Sequence, residues 1–489
     1  MSVCKTRVTI DPITRLEGHG KIEIFLNDAG NVERAYLQIP ELRGFEKFCE
    51  GRPAEEMPRI TSRICGVCPE AHHIASTKAL DAVWHVDPPH TAKKLRELLF
   101  NAHMLHSHIA HFYALAAPDF VVGPGADKKD RNILGVIAKV GLETGQEVIK
   151  HRSYAQKIQA MIGGKATHPV CGLPGGMSKP ITEEERQQIE SMALSLVDFA
   201  EVSLQIFRDV VLKNKAYVDL ILSDAYSLNP YSMGMVDENN HVNFYDGIMR
   251  ITDPEGKEYV RFNANEYNNH FAEHVEPWSY LKFPYLKNVG WKGLVDGIES
   301  GLVWVGPLGR LNAADGMATA RANKAYQEMY STLGGKPAKA TLAHHWARLV
   351  ELMYAAERML ELSQDSEITS TDIRSIPTQT PTEGIGIVEA PRGTLMHHYV
   401  TDERGMIKKA NLVVASAHGY GAMNMSVDKA AKGLIKEGKV DEAAKNMVEM
   451  AFRAYDPCFG CSTHTLTGKL PLLIRVYNTS GEKIMDLEW

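Results

Sequence analysis

The chain has 489 residues, 44% of them apolar and 23% charged, with a formal net charge of −6. These are values of a globular protein with material for a sizeable core, and the acidic balance excludes a basic nucleic-acid footprint. No apolar run reaches the roughly 18–20 residues of a membrane span, and residues 1–11 carry no signal-peptide apolar stretch, so the expectation is a cytoplasmic protein without a span.

In chain order, residues 6–40 read as strands. Lys21-Ile22-Glu23-Ile24-Phe25 alternates, residues 27–31 supply turn formers, and 32–39 return, which is a hairpin pattern. Helical character follows over 72–84. A long helix is expected over 90–116, where Leu95, Leu98, Leu99, Ala102 and Leu105 recur at helical spacing. A further helix spans about 131–161, and 172–177 is a loop. Thr182 and Glu185 form a capping box ahead of a helix running to about 214. Residues 229–290 suggest short strands and loops, with a turn at Asp253-Pro254-Glu255-Gly256. Helices fit 313–332 and 339–364, separated by Gly334-Gly335. Strand character returns over 384–416, with a turn at 402–405, and helices fit 426–437 and 440–454. No linker or repeat divides the chain. The expected fold is one large α+β unit, a central helical bundle with strand-rich flanks at both ends.

Seven cysteines, an odd number, argue for metal or thiol chemistry rather than a disulfide framework. Four of them form two Cys-x-x-Cys pairs at opposite ends: Cys65/Cys68 in Arg-Ile-Cys-Gly-Val-Cys-Pro-Glu-Ala-His, and Cys458/Cys461 in Asp-Pro-Cys-Phe-Gly-Cys-Ser-Thr-His. Each pair points two sulfurs into one small volume, which suits a soft metal. Three readings fit the pairs alone: a structural zinc site, a catalytic metal site, or disulfides. Zinc pairs lie typically about 15–20 residues apart, whereas nearly the whole chain lies between these. Cys4, Cys49 and Cys171 read as small buried residues. The histidines at 103, 106, 108 and 111 resemble a metal cluster but do not share one helix face, so they read as satisfied buried histidines.

At the cysteine motifs the sequence resembles the large, catalytic subunit of nickel–iron hydrogenases, over essentially the whole chain. Arg15-Leu16-Glu17-Gly18-His19, Arg43-Gly44-Phe45-Glu46 and Ala390-Pro391-Arg392-Gly393 agree with that family. The segments 168–176 and 106–112 look like its soluble branch, which reduces nicotinamide or deazaflavin cofactors or feeds heterodisulfide reductase. The resemblance implies reversible heterolytic oxidation of hydrogen, in which a metal takes the hydride and a base the proton. It implies Cys65 and Cys458 as terminal nickel ligands, and Cys68 and Cys461 as bridges from nickel to an iron carrying a carbonyl and two cyanides. Cys458 is the implied immediate base, and Glu17 the proton relay beside it. Glu46 and His464 would hold magnesium, or iron. Arg392 would lie over the open metal face and bond one cyanide, and Ser416 the other. His72 would donate to a bridging sulfur, and Asp456 would lie over the metals. Taken from the residues alone, Glu17 is equally a cap or hairpin acid and Arg392 a surface arginine after a turn. Ser107 departs from the membrane-bound uptake branch, which has an acid between the two histidines.

No ferredoxin-type cysteine run and no dinucleotide fingerprint occurs, so electrons are expected to leave through a small iron–sulfur hydrogenase subunit, with further electron-transfer subunits of flavin/nicotinamide, deazaflavin or heterodisulfide-reductase type beyond it. The implied organisation is a catalytic domain over 1–464 and an extension over 465–489, removed after His464 by a maturation endopeptidase. That extension itself reads as a hairpin. The competing functions are the quinone-reducing relative in respiratory complex I, which lacks the cysteine quartet, and a zinc scaffold.

Overall fold

The computed structural model describes residues 6–41, 44–462, 473–477 and 483–488. Four long helices form the centre. His344–Gln364 packs against Glu183–Phe207 and His90–Ala110, and Leu142–Gly163 packs against the latter two. Apolar residues at three- and four-residue spacing, such as Leu95, Leu98, Leu99, Ala102 and Leu105, are fully buried between them. The expected capping box is formed: Thr182 Oγ1 accepts from Glu185 N at 3.1 Å, and Glu185 Oε2 accepts from Thr182 N at 2.8 Å.

The flanks are sheets. Thr6–Ile10, Lys21–Leu26 and Val32–Gln38 form a three-stranded antiparallel sheet, with the expected hairpin between the second and third strands. Its last strand lies against helix Tyr420–Leu434. Glu383–Ala390, Gly393–Thr401 and Ile407–Val413 form a second antiparallel sheet. A six-stranded sheet centred on Tyr231–Val236 covers the region read as short strands and loops. In the extension, Leu473–Tyr477 pairs antiparallel with Lys483–Glu488.

Three expectations are corrected. The helix expected over 131–161 is two, Ile133–Val140 and Leu142–Gly163, because Gly141 takes φ +93° and closes the first with its N–H on Ile137 O. The long helix is α-helical only over His90–Ala110 and continues as wider π turns over His111–Ala116. The helix expected from 313 begins at Ala320, and a separate helix, Gly306–Ala313, precedes it with proline in its first turn. The 172–177 loop closes on itself, Gly172–Leu173 pairing with Gly176–Met177.

One close approach sets the geometry of the site. Helix Pro69–Val83 lies directly on strand Glu383–Ala390. Gly384 and Gly386 face it: a Cβ on Gly386 would lie 2.3 Å from Ala75 O, and one on Gly384 2.4 Å from Ala79 O. Alternate glycines therefore let a helix seat backbone to backbone on the sheet. The helix carries the first cysteine pair at its start, and the strand leads into Arg392 at its end.

Burial holds many histidines neutral. The imidazoles of His73, His108 and His418 are pushed down to about 4, and that of His345 to about 3, in each case chiefly by desolvation. The folded-state values lie below the ordinary ~6.5, so the unfolded chain binds protons first as pH falls. Their contribution is complete above pH ~6.5 and declines below it, by up to about 1.4 kcal/mol per pH unit for each such group. The urea midpoint of the chain is expected to fall continuously from pH 6.5 to 5. A midpoint constant across that window would contradict neutral burial of these rings.

Candidate metal centre

The two cysteine pairs meet. Cys65 sits in extended backbone after a 3-10 turn over Ser62–Ile64, and Cys68 caps helix Pro69–Val83. Cys458 and Cys461 flank the start and body of the short helix Phe459–Ser462. Cys65 Sγ lies 3.2 Å from Cys458 Sγ, Cys68 Sγ 3.0 Å from Cys461 Sγ, and Cys458 Sγ 2.9 Å from Cys461 Sγ. All four sulfurs lie within 4.8 Å of one another and all four residues are buried. Two sulfurs sharing one ion at a ~2.3 Å bond stand no more than about 4.6 Å apart, so the quartet is gathered to nearly the span that one metal site requires.

The electrostatics ask for a cation. Hydrogen bonds from the neighbouring thiols, Cys458 first, pull Cys65 well below the ordinary thiol range, while burial pushes Cys458 and Cys461 well above it. The cysteines alone thus concentrate charge on one sulfur, and only a bound cation makes four adjacent thiolates favourable. Four soft donors fit nickel or zinc equally on ligand type. The surroundings are not those of a closed structural site, because an acid and a guanidinium face the sulfurs.

The acid is Glu17. Its backbone pairs with the second cysteine segment, Phe459 N donating to Glu17 O at 3.0 Å. Its Oε2 accepts from Cys458 Sγ at 3.0 Å and from Gly460 N at 2.9 Å. Burial, then the charge on Cys65, raises its pKa. The segment is anchored by ionic contacts: Thr14 Oγ1 donates to Glu449 Oε2, Arg15 pairs with Asp119, and Arg453 binds both of those acids.

The guanidinium is Arg392, 6% exposed. Its Nη1 donates to Ser107 Oγ at 3.4 Å and its Nη2 lies 3.2 Å from Asp456 Oδ2, while Nε has no partner among the described residues. Burial opposes its charge, but Asp456 and the cysteine sulfurs outweigh that and hold it cationic. The turn that carries it is clamped by Arg310, which reading the sequence missed. Arg310 donates to Glu389 Oε2 at 2.8 Å, to Ala390 O at 2.7 Å and to Glu351 Oε1 at 2.6 Å, and Thr394 Oγ1 closes the far side of the turn on Glu389. The only local signal for it is the proline-started helix Gly306–Ala313.

Ser416 Oγ accepts from Cys458 N at 2.8 Å, which leaves its hydroxyl hydrogen free to donate. His72 Nε2 lies 3.4 Å from Cys461 Sγ. Glu46 is buried, with Oε1 accepting from Leu412 N at 3.3 Å. His464, Arg43 and Cys4 lie outside the described residues, so the expected Glu46–His464 pair does too. Cys49 and Cys171 are buried and separate from the quartet. Of the four clustered histidines, His103 Nδ1 lies 3.0 Å from Glu70, His108 Nε2 2.9 Å from Glu351, and His111 Nε2 2.9 Å from Arg453 O. His103 and His106 correct the expectation of full satisfaction: no ring nitrogen of either makes a hydrogen bond among the described residues, the approach of His103 to Glu70 being an ion-pair distance without hydrogen-bond geometry.

The nickel-dependent hydrogenase family matches residues 43–139 and 144–464, and a HoxL-like family matches 7–42. The chain belongs to the nickel-dependent hydrogenase family. An F420-non-reducing hydrogenase iron-sulfur subunit of Archaeoglobus profundus is 50% identical over 482 residues, covering 98% of this chain and 99% of that one. The beta subunit of the NAD-reducing hydrogenase HoxS of Cupriavidus necator is 38% identical over 495 residues, covering 98% of each. The crystal structure of an NAD+-reducing [NiFe]-hydrogenase in the H2-reduced state superposes with a TM-score of 0.89 at 36% identity, over 94% of this chain and all of that one. The protein is a hydrogenase large subunit, an oxidoreductase that oxidises hydrogen, and its four-cysteine group fits the nickel site. No described helix is long and apolar enough to cross a membrane.

Proposed function

We propose that this hydrogenase works reversibly at a nickel–iron centre held by the quartet, with Cys65 and Cys458 terminal on nickel and Cys68 and Cys461 bridging to iron. The observation that carries the reading is the contact between Glu17 and Cys458, which gives one of four clustered sulfurs a proton outlet that a structural zinc site does not need. When bound, the centre supplies the Lewis acid that polarises hydrogen and accepts its electron pair. Carbonyl and cyanide ligands on iron accord with the free donors of Arg392 Nε and the Ser416 hydroxyl. Magnesium, or iron, held by Glu46 and His464 belongs to the same reading.

The chain's own residues then divide the work. Cys458 takes the proton of the split molecule at its sulfur, and Glu17 receives it 3.0 Å away at Oε2. The raised pKa of Glu17, from burial first, brings it nearer to neutrality and suits it to pass a proton both ways. Arg392 and Asp456 face the sulfurs as a fixed ion pair that excludes bulk water and sets the local field. Infrared spectroscopy with metal analysis of the purified complex tests the proposal. Nickel and iron near one each, with carbonyl and cyanide bands, are expected, and zinc alone would overturn it.

Electrons are proposed to leave to a small iron–sulfur partner, and from there to further electron-transfer subunits, in the cytoplasm. The relatives are themselves named as subunits, which supports a multi-subunit enzyme. The quartet lies just beneath a surface where Gly18, His19 and Gly66 are exposed and Glu17 is half-buried, and this face suits an electron acceptor.

Arg392→Lys is expected to lower turnover at least tenfold while nickel and iron stay bound. Lysine keeps the charge but loses the planar fork that engages Ser107, Asp456 and an anionic ligand together. Hydrogen-dependent dye reduction at matched metal content checks this, and unchanged kinetics would show that the fork is not needed.

The catalytic domain is proposed to span 1–464, with 465–489 an extension removed by a dedicated endopeptidase after His464. The family match ends at residue 464, which supports that boundary. Intact mass of the nickel-containing active protein is expected to correspond to a chain ending at His464. A mass including Trp489 would mean that the site closes without proteolysis.

A further inference from the structure

Helix Pro69–Val83 and strand Gly393–Thr401 face each other across an alternating line of polar side chains. His72 and Ser76 stand one helical turn apart on the helix. His397 and Tyr399 stand two residues apart on the strand. Four residues of helix rise about 6 Å and two of strand about 6.6 Å, so the pairs mesh. His72 Nδ1 lies 3.1 Å from His397 Nε2, His397 Nδ1 2.7 Å from the Tyr399 hydroxyl, and Tyr399 2.9 Å from Ser76 Oγ. The other end of the line is the 3.4 Å contact from His72 Nε2 to Cys461 Sγ. All of these residues are buried, and His72, Ser76, His397 and Tyr399 are at most 1% exposed.

Donor counting gives the line a direction. A metal-bound Cys461 is a thiolate and only accepts, so His72 Nε2 must carry the hydrogen. A neutral imidazole has one N–H, so His72 Nδ1 accepts from His397 Nε2. By the same rule His397 Nδ1 accepts, and the Tyr399 hydroxyl donates to it. Ser76 in turn donates to the Tyr399 oxygen. Burial that holds His397 neutral agrees with this count. Each bond polarises the next, all toward the sulfur.

Resting on the nickel–iron reading above, we propose that His397 and Tyr399 are positioning residues for the metal centre: the Tyr399 hydroxyl fixes the tautomer of His397, His397 fixes that of His72, and His72 thereby presents an N–H rather than a lone pair to the bridging Cys461 sulfur. The line is not a proton exit. Its far end, Ser76, is fully buried, and nearby Thr61 is also fully buried with its hydroxyl donating to Met57 O. What the line controls is how much charge the Cys461 sulfur keeps for the metals, the outer-partner effect by which a ligand is tuned.

The test is infrared spectroscopy and metal analysis on the purified complex carrying Tyr399→Phe or His397→Leu. Phenylalanine keeps the ring in place and removes only the hydroxyl. Both variants are expected to retain nickel and iron and to shift the carbonyl band to lower wavenumber, because a sulfur that loses its N–H bond donates more charge. His397→Leu should shift it further. Unmoved bands in both metallated variants would overturn the proposal, as would loss of metal from both, since a line that only aims a hydrogen bond leaves the thiolates in place. A shift in His397→Leu alone would overturn the role of Tyr399. A parent complex without carbonyl or cyanide bands would instead mean that the nickel–iron reading has failed.

Discussion

Cys458→Ser abolishes hydrogen turnover while the chain stays folded and soluble: this is the expected result with the largest effect. The substitution exchanges a soft sulfur for a hard oxygen at a position whose three neighbours remain thiols within 4.8 Å. A serine hydroxyl is a far weaker acid than a thiol, so the site loses both a soft anionic ligand and the atom that hands a proton to Glu17. Lost proton transfer alone is worth about 10²–10⁴ in rate. The side chain is buried and the replacement smaller, and the backbone N–H of residue 458 still donates to Ser416 Oγ, so the fold has no reason to fail. Hydrogen-dependent dye reduction, read beside nickel and iron content, decides the matter. Parental activity in a fully metallated preparation would remove Cys458 from the chemistry.

The parts of the centre that are legible in the sequence are those whose chemistry is written into short motifs. Two Cys-x-x-Cys pairs almost 400 residues apart mark the quartet, because no other local pattern gathers soft ligands so tightly. Thr182 and Glu185 mark a helix start, and the alternation of Lys21–Phe25 marks a hairpin, because both depend on neighbours in the chain. What stays hidden depends on distant partners. Arg310 reads as an ordinary arginine until Glu351, Glu389 and the Ala390 carbonyl are seen around it. His397 and Tyr399 read as alternate strand residues until the helix that Gly384 and Gly386 admit is laid against them. Gly141 is masked by an apolar pattern that runs on across it, yet its left-handed backbone ends one helix and aims the next. His106 shows the limit from the other side: its burial follows from the sequence, but its missing partners follow only from the packing of its neighbours.

Glu17→Gln is expected to stop proton exchange while leaving the metal centre intact. Glutamine matches the carboxylate in shape, and its amide oxygen can still accept from Gly460 N, the bond that holds the side chain against the second cysteine segment. What disappears is the titratable group 3.0 Å from Cys458. An amide neither takes a proton from the thiol nor returns one at neutral pH, so the step from sulfur to surface is broken at its first link. The position is well suited to that link. Glu17 is only half-buried, with exposed Gly18 and His19 beside it, so it is the one acid that touches both a quartet sulfur and the edge of the protein among the described residues. Hydrogen–deuterium exchange catalysed by the variant should drop by about 10²–10⁴, the range for a lost general acid–base group. Infrared bands and nickel and iron content should stay at parental values, which separates loss of the relay from loss of the centre. Exchange at the parental rate would mean that the proton leaves Cys458 by another route.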